Sequence, residues 1–178
     1  MHFVSSKFKI GILGGGQLGK MLLFDSKRYD LHTKVMDPNK NAPCNNIADE
    51  FIVGNLNDYN DVINFGKLVD IITIEIENVN TDALEYLEKI GKKVFPPSRA
   101  IKIIQNKCEQ KAFYKSNNLP TSAFINYSSL SYLKEDLKKE NLKFPFVWKS
   151  AKFGYDGKGV KIIRNHDDIK SINDGLCF

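Results

Sequence analysis

From Phe8 to Phe95 short runs of apolar, often β-branched residues alternate with stretches whose apolar residues recur at helical spacing. That alternation is the sequence pattern of a parallel sheet with crossover helices. FKIGIL (8–13), TKVMD (33–37), FIV (51–53), DIITIEI (70–76) and KKVFP (92–96) read as strands, the last ended by Pro96-Pro97 because proline brings no N–H to a ladder. Leu18, Met21 and Leu22, then Tyr59, Val62 and Ile63, then Leu84, Leu87 and Ile90 mark three helices between them. Residues 1–98 therefore predict one doubly wound α/β domain of Rossmann type.

After Pro97 the order changes. Ser98 can cap a helical connection over 99–120, one or two helices ending at Asn117-Asn118-Leu119-Pro120. Residues 121–178 then predict a strand at AFINY (123–127), a helix capped by Ser129 with Leu130, Leu133 and Leu137 inward, and strands at PFVWKS (145–150) and VKIIR (160–164). A helix beginning at DDIKSIND and a strand just begun at GLCF complete the pattern. A sheet with so few strands reads as the beginning of a second α/β domain rather than a whole one.

Composition narrows the function classes. No apolar run approaches the ~20 residues of a membrane span, and the start MHFVSSKFKIGILGGG carries no signal-peptide pattern, so a cytoplasmic protein is expected. Cys44, Cys108 and Cys177 are an odd number without CxxC spacing, and His2, His32 and His166 are scattered, which disfavours a disulfide framework or a zinc site. The net charge of +5 is uneven: residues 1–98 carry 11 basic against 13 acidic side chains, residues 99–178 carry 15 against 8. A basic second part suits a polyphosphate ligand or a lysine-rich surface. With only Arg28, Arg99 and Arg164 and no interleaved aromatics, nucleic acid is not expected.

Two glycine-rich loops carry the chemistry. Gly14-Gly15-Gly16-Gln17-Leu18-Gly19 follows a strand and opens a helix. Gly14 permits the turn, Gly16 allows close approach of a ligand, Gly19 lets helix and strand pack, and the N–H groups of Gln17 and Leu18 attract an anion. With Asp37 at the end of the next strand to bind a ribose diol, the residues alone point to NAD or FAD, or to glycines that serve packing only. The second loop, Phe153-Gly154-Tyr155-Asp156-Gly157-Lys158-Gly159, sits between two strands and reads as a flap able to fold over a polyphosphate. Ahead of it, strand alternation puts Phe146 and Trp148 on one face and Val147 and Lys149 on the other. Lys149 among buried neighbours calls for an anionic partner, or else extends to water at a strand end.

Taken together, ILGGGQLGKM, TIEIENV (73–79), VFPPSRAIKIIQNK (94–107), LPT (119–121) and FVWKSAKFGYDGKGV (146–160) resemble the bacterial N5-carboxyaminoimidazole ribonucleotide synthetases, ATP-grasp ligases of purine (IMP) biosynthesis. The match runs in order along nearly the whole chain. Related glycinamide ribonucleotide transformylases have a serine-rich flap without Tyr-Asp, so Tyr155 and Asp156 favour the synthetases.

The resemblance implies a pre-ATP-grasp domain followed by the beginning of an ATP-grasp domain. It implies a ligase that joins 5-aminoimidazole ribonucleotide to bicarbonate with ATP and Mg2+, and a homodimer. ATP would be held by Lys107, where relatives often carry arginine, by Lys149, and by Gly154, Tyr155, Asp156, Gly157, Lys158, Gly159 and Val160. Asp156 and Lys158 are the catalytic candidates, Asp156 placed near the substrate amine. Gly16, Gln17, Leu18, Glu75, Glu77 and Tyr155 would bind the ribonucleotide, with Glu75 and Glu77 on one strand face acting together or standing as a solvated pair. Asp37 would then fall to a turn role beside Pro38. Family members continue beyond this length with their adenine-gripping segment and magnesium carboxylates, so the 178-residue chain by itself is expected neither to turn over ATP nor to bind catalytic magnesium. Other readings are an NAD-dependent oxidoreductase, which leaves the flap and Lys149 unexplained, and a non-catalytic ligand-binding remnant.

Overall fold

The computed structural model describes residues 7–152 and 159–172. They form two compact units, divided between Lys102 and Ile103.

The first unit is a five-stranded parallel sheet built from β1 (Lys9–Leu13), β2 (His32–Asp37), β3 (Glu50–Val53), β4 (Ile71–Ile74) and β5 (Lys93–Phe95), in the order β3-β2-β1-β4-β5. The central strand pairs Ile12 with Val35 on one side and with Thr73 on the other. Its successive side chains serve opposite faces. Leu13 joins Met36, Phe65, Ile72, Leu84 and Leu87, under α2 (Tyr59–Lys67) and α3 (Thr81–Lys89). Ile12 joins Leu23, Val35 and Cys44, under α1 (Gln17–Lys27) and the connection after β2. Asp58 and Asn80 cap α2 and α3 by accepting from the N–H groups of Asp61 and Ala83, and Lys92 Nζ donates to the carbonyls of Lys67, the last residue of α2, and of Val69 just after it. The doubly wound reading is met, each helix falling where the spacing predicts it.

Several local expectations change. Leu18, Met21 and Leu22 do mark α1, but they face outward, and the buried positions are Gly19, Leu23 and Ser26. The small Gly19 brings this side of the helix onto the loop, where a methyl group built on it would stand 3.2 Å from Gly14 O and 3.1 Å from Cys44 Sγ. β4 stops at Ile74 rather than Ile76, so alternation does not govern Glu75 and Glu77. Ser98 is the first residue of α4 (Ser98–Gln105) instead of its cap, since Glu88 takes both its N–H (2.8 Å) and its hydroxyl (2.5 Å).

The second unit contains α5 (Lys107–Ser116), α6 (Leu130–Lys138), the antiparallel pair β6 (Phe146–Lys149) and β7 (Val160–Ile163), and α7 (His166–Ile169). Tyr127, Leu133, Leu137, Trp148, Ile163, Ile169 and Ile172 form its core. The connection after Pro97 is two helices, divided at Asn106. AFINY is not a strand: the segment gains ladder character only at Tyr127, whose hydroxyl donates to Asp136 Oδ2 at 3.0 Å. Ser129 stands at the N-cap of α6, yet its hydroxyl pairs with Ser131 Oγ at 2.6 Å instead of an N–H of the first turn. GLCF lies outside the described residues.

Candidate functional site

In the first unit β1 is flanked by β2 and β4, and the chain runs outward from it in both directions. The carboxyl ends of β1 and β4 therefore form the topological switch point, where open α/β sheets bind ligands. Gly14 turns out of β1 with φ +101°, a conformation that disfavours any residue with a Cβ. Gly14 N donates to Met36 O at 2.9 Å. Glu75 N donates to Leu13 O at 2.8 Å, which carries the pairing of β1 and β4 one step past the strand. The Glu75 side chain then lies over the glycine turn: a methyl carbon built on Gly14 would stand 2.7 Å from Glu75 Oε2, and one on Gly16 2.5 Å from Oε1. Glu75 is half-buried and Glu77 is exposed. The structure thus brings Glu75, but not Glu77, into the loop.

Gly16 caps α1 without a side chain, no acidic residue lies in the first turn, and Gln17 and Leu18 are exposed there. The positive end of the helix dipole thus sits beside the Glu75 carboxylate. Together they suit a ligand carrying a phosphate and, a short distance away, hydroxyl or amine donors.

Asp37 has another task. Its Oδ2 accepts from Gly15 N at 2.7 Å and its Oδ1 from Asn39 N at 2.8 Å. A carboxylate tied to the loop backbone on both oxygens is a turn-holder, which removes the main support for a dinucleotide reading. Cys44 adds a second brace: its N–H donates to Gly15 O at 3.0 Å and its thiol to Gly16 O at 3.6 Å. Burial, with the carboxylates of Glu75 and Asp37 close by, pushes the Cys44 thiol up to about 11. Sequence reasoning gave Cys44 no role; its place in the connection after β2, beside Ala42 against Gly15, depends on long-range packing.

In the second unit Lys107 opens α5, and its N–H donates to Ala151 O at 2.8 Å, two residues past Lys149 at the end of β6. Lys149 pairs with Val160 across the hairpin, and Ser150 N donates to Gly159 O at 2.8 Å. Gly159 takes φ +73°, which glycine adopts without strain. The expectation that the second glycine loop joins two strands is met. Gly154, Tyr155, Asp156, Gly157 and Lys158 lie outside the described residues. Trp148 is buried on the core side with Phe146 half-buried, while Val147 is exposed and Lys149 half-buried on the other. Lys149, itself half-buried, thus lies on the face opposite Trp148, with Trp148 and Ala151 buried near it in the chain. It borders a cleft of about 530 Å³ lined also by Lys111, Phe124, Tyr127, Phe146 and Trp148. Lys111, which sequence reasoning passed over, donates to Thr121 Oγ1 at 2.5 Å and Ser122 Oγ at 3.0 Å and stands 5.6 Å from the Phe124 ring centre.

A family model, the ribonucleotide synthetase pre-ATP-grasp domain, matches residues 7–105, and the ATP-grasp domain matches 112–176. The chain belongs to the ribonucleotide synthetase family of pre-ATP-grasp and ATP-grasp proteins. It is 34% identical over 175 residues to the N5-carboxyaminoimidazole ribonucleotide synthase of Staphylococcus epidermidis, covering 95% of this chain and 45% of that protein. Among solved structures, the carboxyaminoimidazole ribonucleotide synthase of Aspergillus clavatus complexed with ATP is 31% identical with a TM-score of 0.86, over 96% of this chain and 46% of that one. The Aspergillus clavatus enzyme in complex with ADP and 5-aminoimidazole ribonucleotide is 30% identical with a TM-score of 0.82, over 99% and 46%. The chain spans less than half the length of the relatives it matches. Among the described residues no helix is long and apolar enough to cross a membrane, and no three His, Cys, Asp or Glu side chains gather to hold a metal ion.

Proposed function

We propose that this chain is the pre-ATP-grasp domain and the first part of the ATP-grasp domain of an N5-carboxyaminoimidazole ribonucleotide synthetase. The reaction in this reading phosphorylates bicarbonate with ATP and transfers the carboxyl group to the exocyclic amine of 5-aminoimidazole ribonucleotide, releasing ADP and phosphate. The observation that carries the substrate side is the seat of Glu75 against Gly14 and Gly16 at the β1/β4 switch point, next to the open end of α1. There the N–H groups of Gln17 and Leu18 take the 5′-phosphate, and Glu75 accepts from the ribose or the amine. Glu77 stands further out.

On the nucleotide side, Lys107 and Lys149 neutralise phosphate oxygens, assisted by Gly159 and Val160 at the foot of the flap. Lysine at position 107 supplies charge without the planar fork of an arginine. Gly154, Tyr155, Gly157 and Lys158 complete the grip, and Asp156 orients the amine or accepts its proton. Such chemistry needs positioning and charge neutralisation more than a protein nucleophile. Magnesium belongs to the same reading, although no three His, Cys, Asp or Glu side chains gather among the described residues to hold it. A cytoplasmic homodimer in IMP biosynthesis completes the assignment.

Titration of the chain with 5-aminoimidazole ribonucleotide and, separately, with ADP tests the reading. Both ligands are expected to bind, the first weakened by Glu75→Ala and the second by Lys149→Ala. Binding of NAD+ with no binding of ADP, or preference for glycinamide ribonucleotide over the aminoimidazole, would overturn it.

A further inference from the structure

Asn106 is nine-tenths buried at the junction of α4 and α5, and its side chain makes three contacts. Its Oδ1 accepts from Cys108 N at 3.0 Å and Glu109 N at 3.4 Å, while its Nδ2 donates to Glu109 Oε1 at 2.8 Å. The bond from Nδ2 to Glu109 ties the capping residue to the first turn through both polar atoms of the amide. Between these two residues stands Lys107, whose N–H leaves the helix to reach Ala151 O. Ala151 is 1% exposed, so this bond runs through the interior of the unit. Ser150, adjacent to it, closes the neck of the hairpin on Gly159.

We propose that Asn106 is a positioning residue for nucleotide binding. Its amide locks the first turn of α5, so that Lys107 is held against the end of β6 at a fixed place relative to Lys149. The inference rests on the nucleotide reading of Lys107 and Lys149. An amide is required where a helix cap alone would accept aspartate: only a side chain with both an acceptor and a donor can serve the N–H groups of the turn and the Glu109 carboxylate together.

Four forms of the chain separate the possibilities, each titrated with ADP by the fluorescence of Trp148, the single tryptophan, beside Lys149. Hydrogen exchange at the Lys107 amide is measured in parallel. Asn106→Ala is expected to weaken ADP binding about tenfold and to speed exchange at Lys107, as loss of a buried cap does. Asn106→Asp keeps the cap but sets two carboxylates together, and is expected to weaken binding several-fold. The pair Asn106→Asp with Glu109→Gln exchanges donor and acceptor, and is expected to return both readouts to within about twofold of the parent. Should Asn106→Ala fail to fold by circular dichroism, the exchanged pair against Asn106→Asp alone still decides. ADP affinity unchanged in Asn106→Ala and Asn106→Asp, or an exchanged pair no better than Asn106→Asp, would overturn the proposal and leave the nucleotide reading standing. Absence of ADP binding by the parent chain would overturn both.

Discussion

Glu75 Oε1 lies where a side chain on Gly16 would begin, 2.5 Å from a methyl carbon built there. Gly16 itself has φ −74°, which alanine adopts freely. The obstruction is therefore the mobile end of a carboxylate and not the backbone. Gly16→Ala is expected to fold with a melting temperature within a few degrees of the parent while displacing Glu75, so that affinity for 5-aminoimidazole ribonucleotide falls about tenfold or more. Gly11 provides the contrast: a methyl group there would stand 2.8 Å from both Phe65 Cε1 and Val69 Cγ2 in the core. Gly11→Ala should cost about 1 to 3 kcal/mol of stability in denaturant titration. Equal destabilisation by the two substitutions would count against the seat of Glu75.

Lys149→Ala should weaken ADP binding about tenfold or more, by loss of a charge-assisted contact to phosphate. The hairpin register is set by backbone pairing of Lys149 with Val160, so thermal unfolding should change little. Unchanged ADP affinity would remove Lys149 from the site.

Asp49 offers a test of the first unit by pH. Its burial alone would raise the carboxyl, but hydrogen bonds from Lys27 and from the N–H and hydroxyl of Thr33 outweigh it and hold the carboxyl at about 2 instead of 3.8. A carboxyl depressed by folding contributes stability that is full above its unfolded value and is lost as pH falls through the folded one. Discounted for its partial exposure, the contribution is about 1 to 2 kcal/mol. Asp49→Asn should be less stable than the parent by that amount at neutral pH, with the difference shrinking between about pH 4 and pH 2. A difference independent of pH would mean that Asp49 acts through shape alone.

The Cys44 thiol should be inert. Raised from 9.0 to about 11, it holds about a hundredfold less thiolate at pH 8 than an ordinary cysteine. Alkylation followed by peptide mass spectrometry should leave Cys44 unmodified in the native chain and label it after denaturation. Rapid native labelling would show that the brace between Cys44 and the glycine loop opens in solution.

The first unit is largely legible because the central strands β1 and β2 are mostly buried and α2 and α3 are amphipathic, so the two periodicities separate there. Errors arose where a tertiary partner outbid a local rule. Ser98 reads as a cap until Glu88 takes its hydroxyl, and Glu75 and Glu77 read as one face until β4 ends ahead of them. The outward turn of Leu18, Met21 and Leu22 could not be foreseen from spacing, since Gly19 rather than bulk decides which side of α1 meets the loop. At the candidate site, Glu75, Gly16 and Lys149 carry local signals: a strand end, a glycine motif and a lysine in a strand. Cys44, Asn106 and Lys111 carry none, because their roles come from contacts made by packing.

The two hydrogen bonds of Asp37 change what divergence of this scaffold would require. In a nucleotide-binding sheet of this topology, an acid at the end of β2 is the position that selects a cofactor. Here its two oxygens tie Gly15 and Asn39, so a substitution at Asp37 alters the shape of the loop before it alters any preference for a ligand. In the proposed reading, selectivity falls instead to Glu75, just past the end of β4, whose carboxylate lies over Gly14 and Gly16.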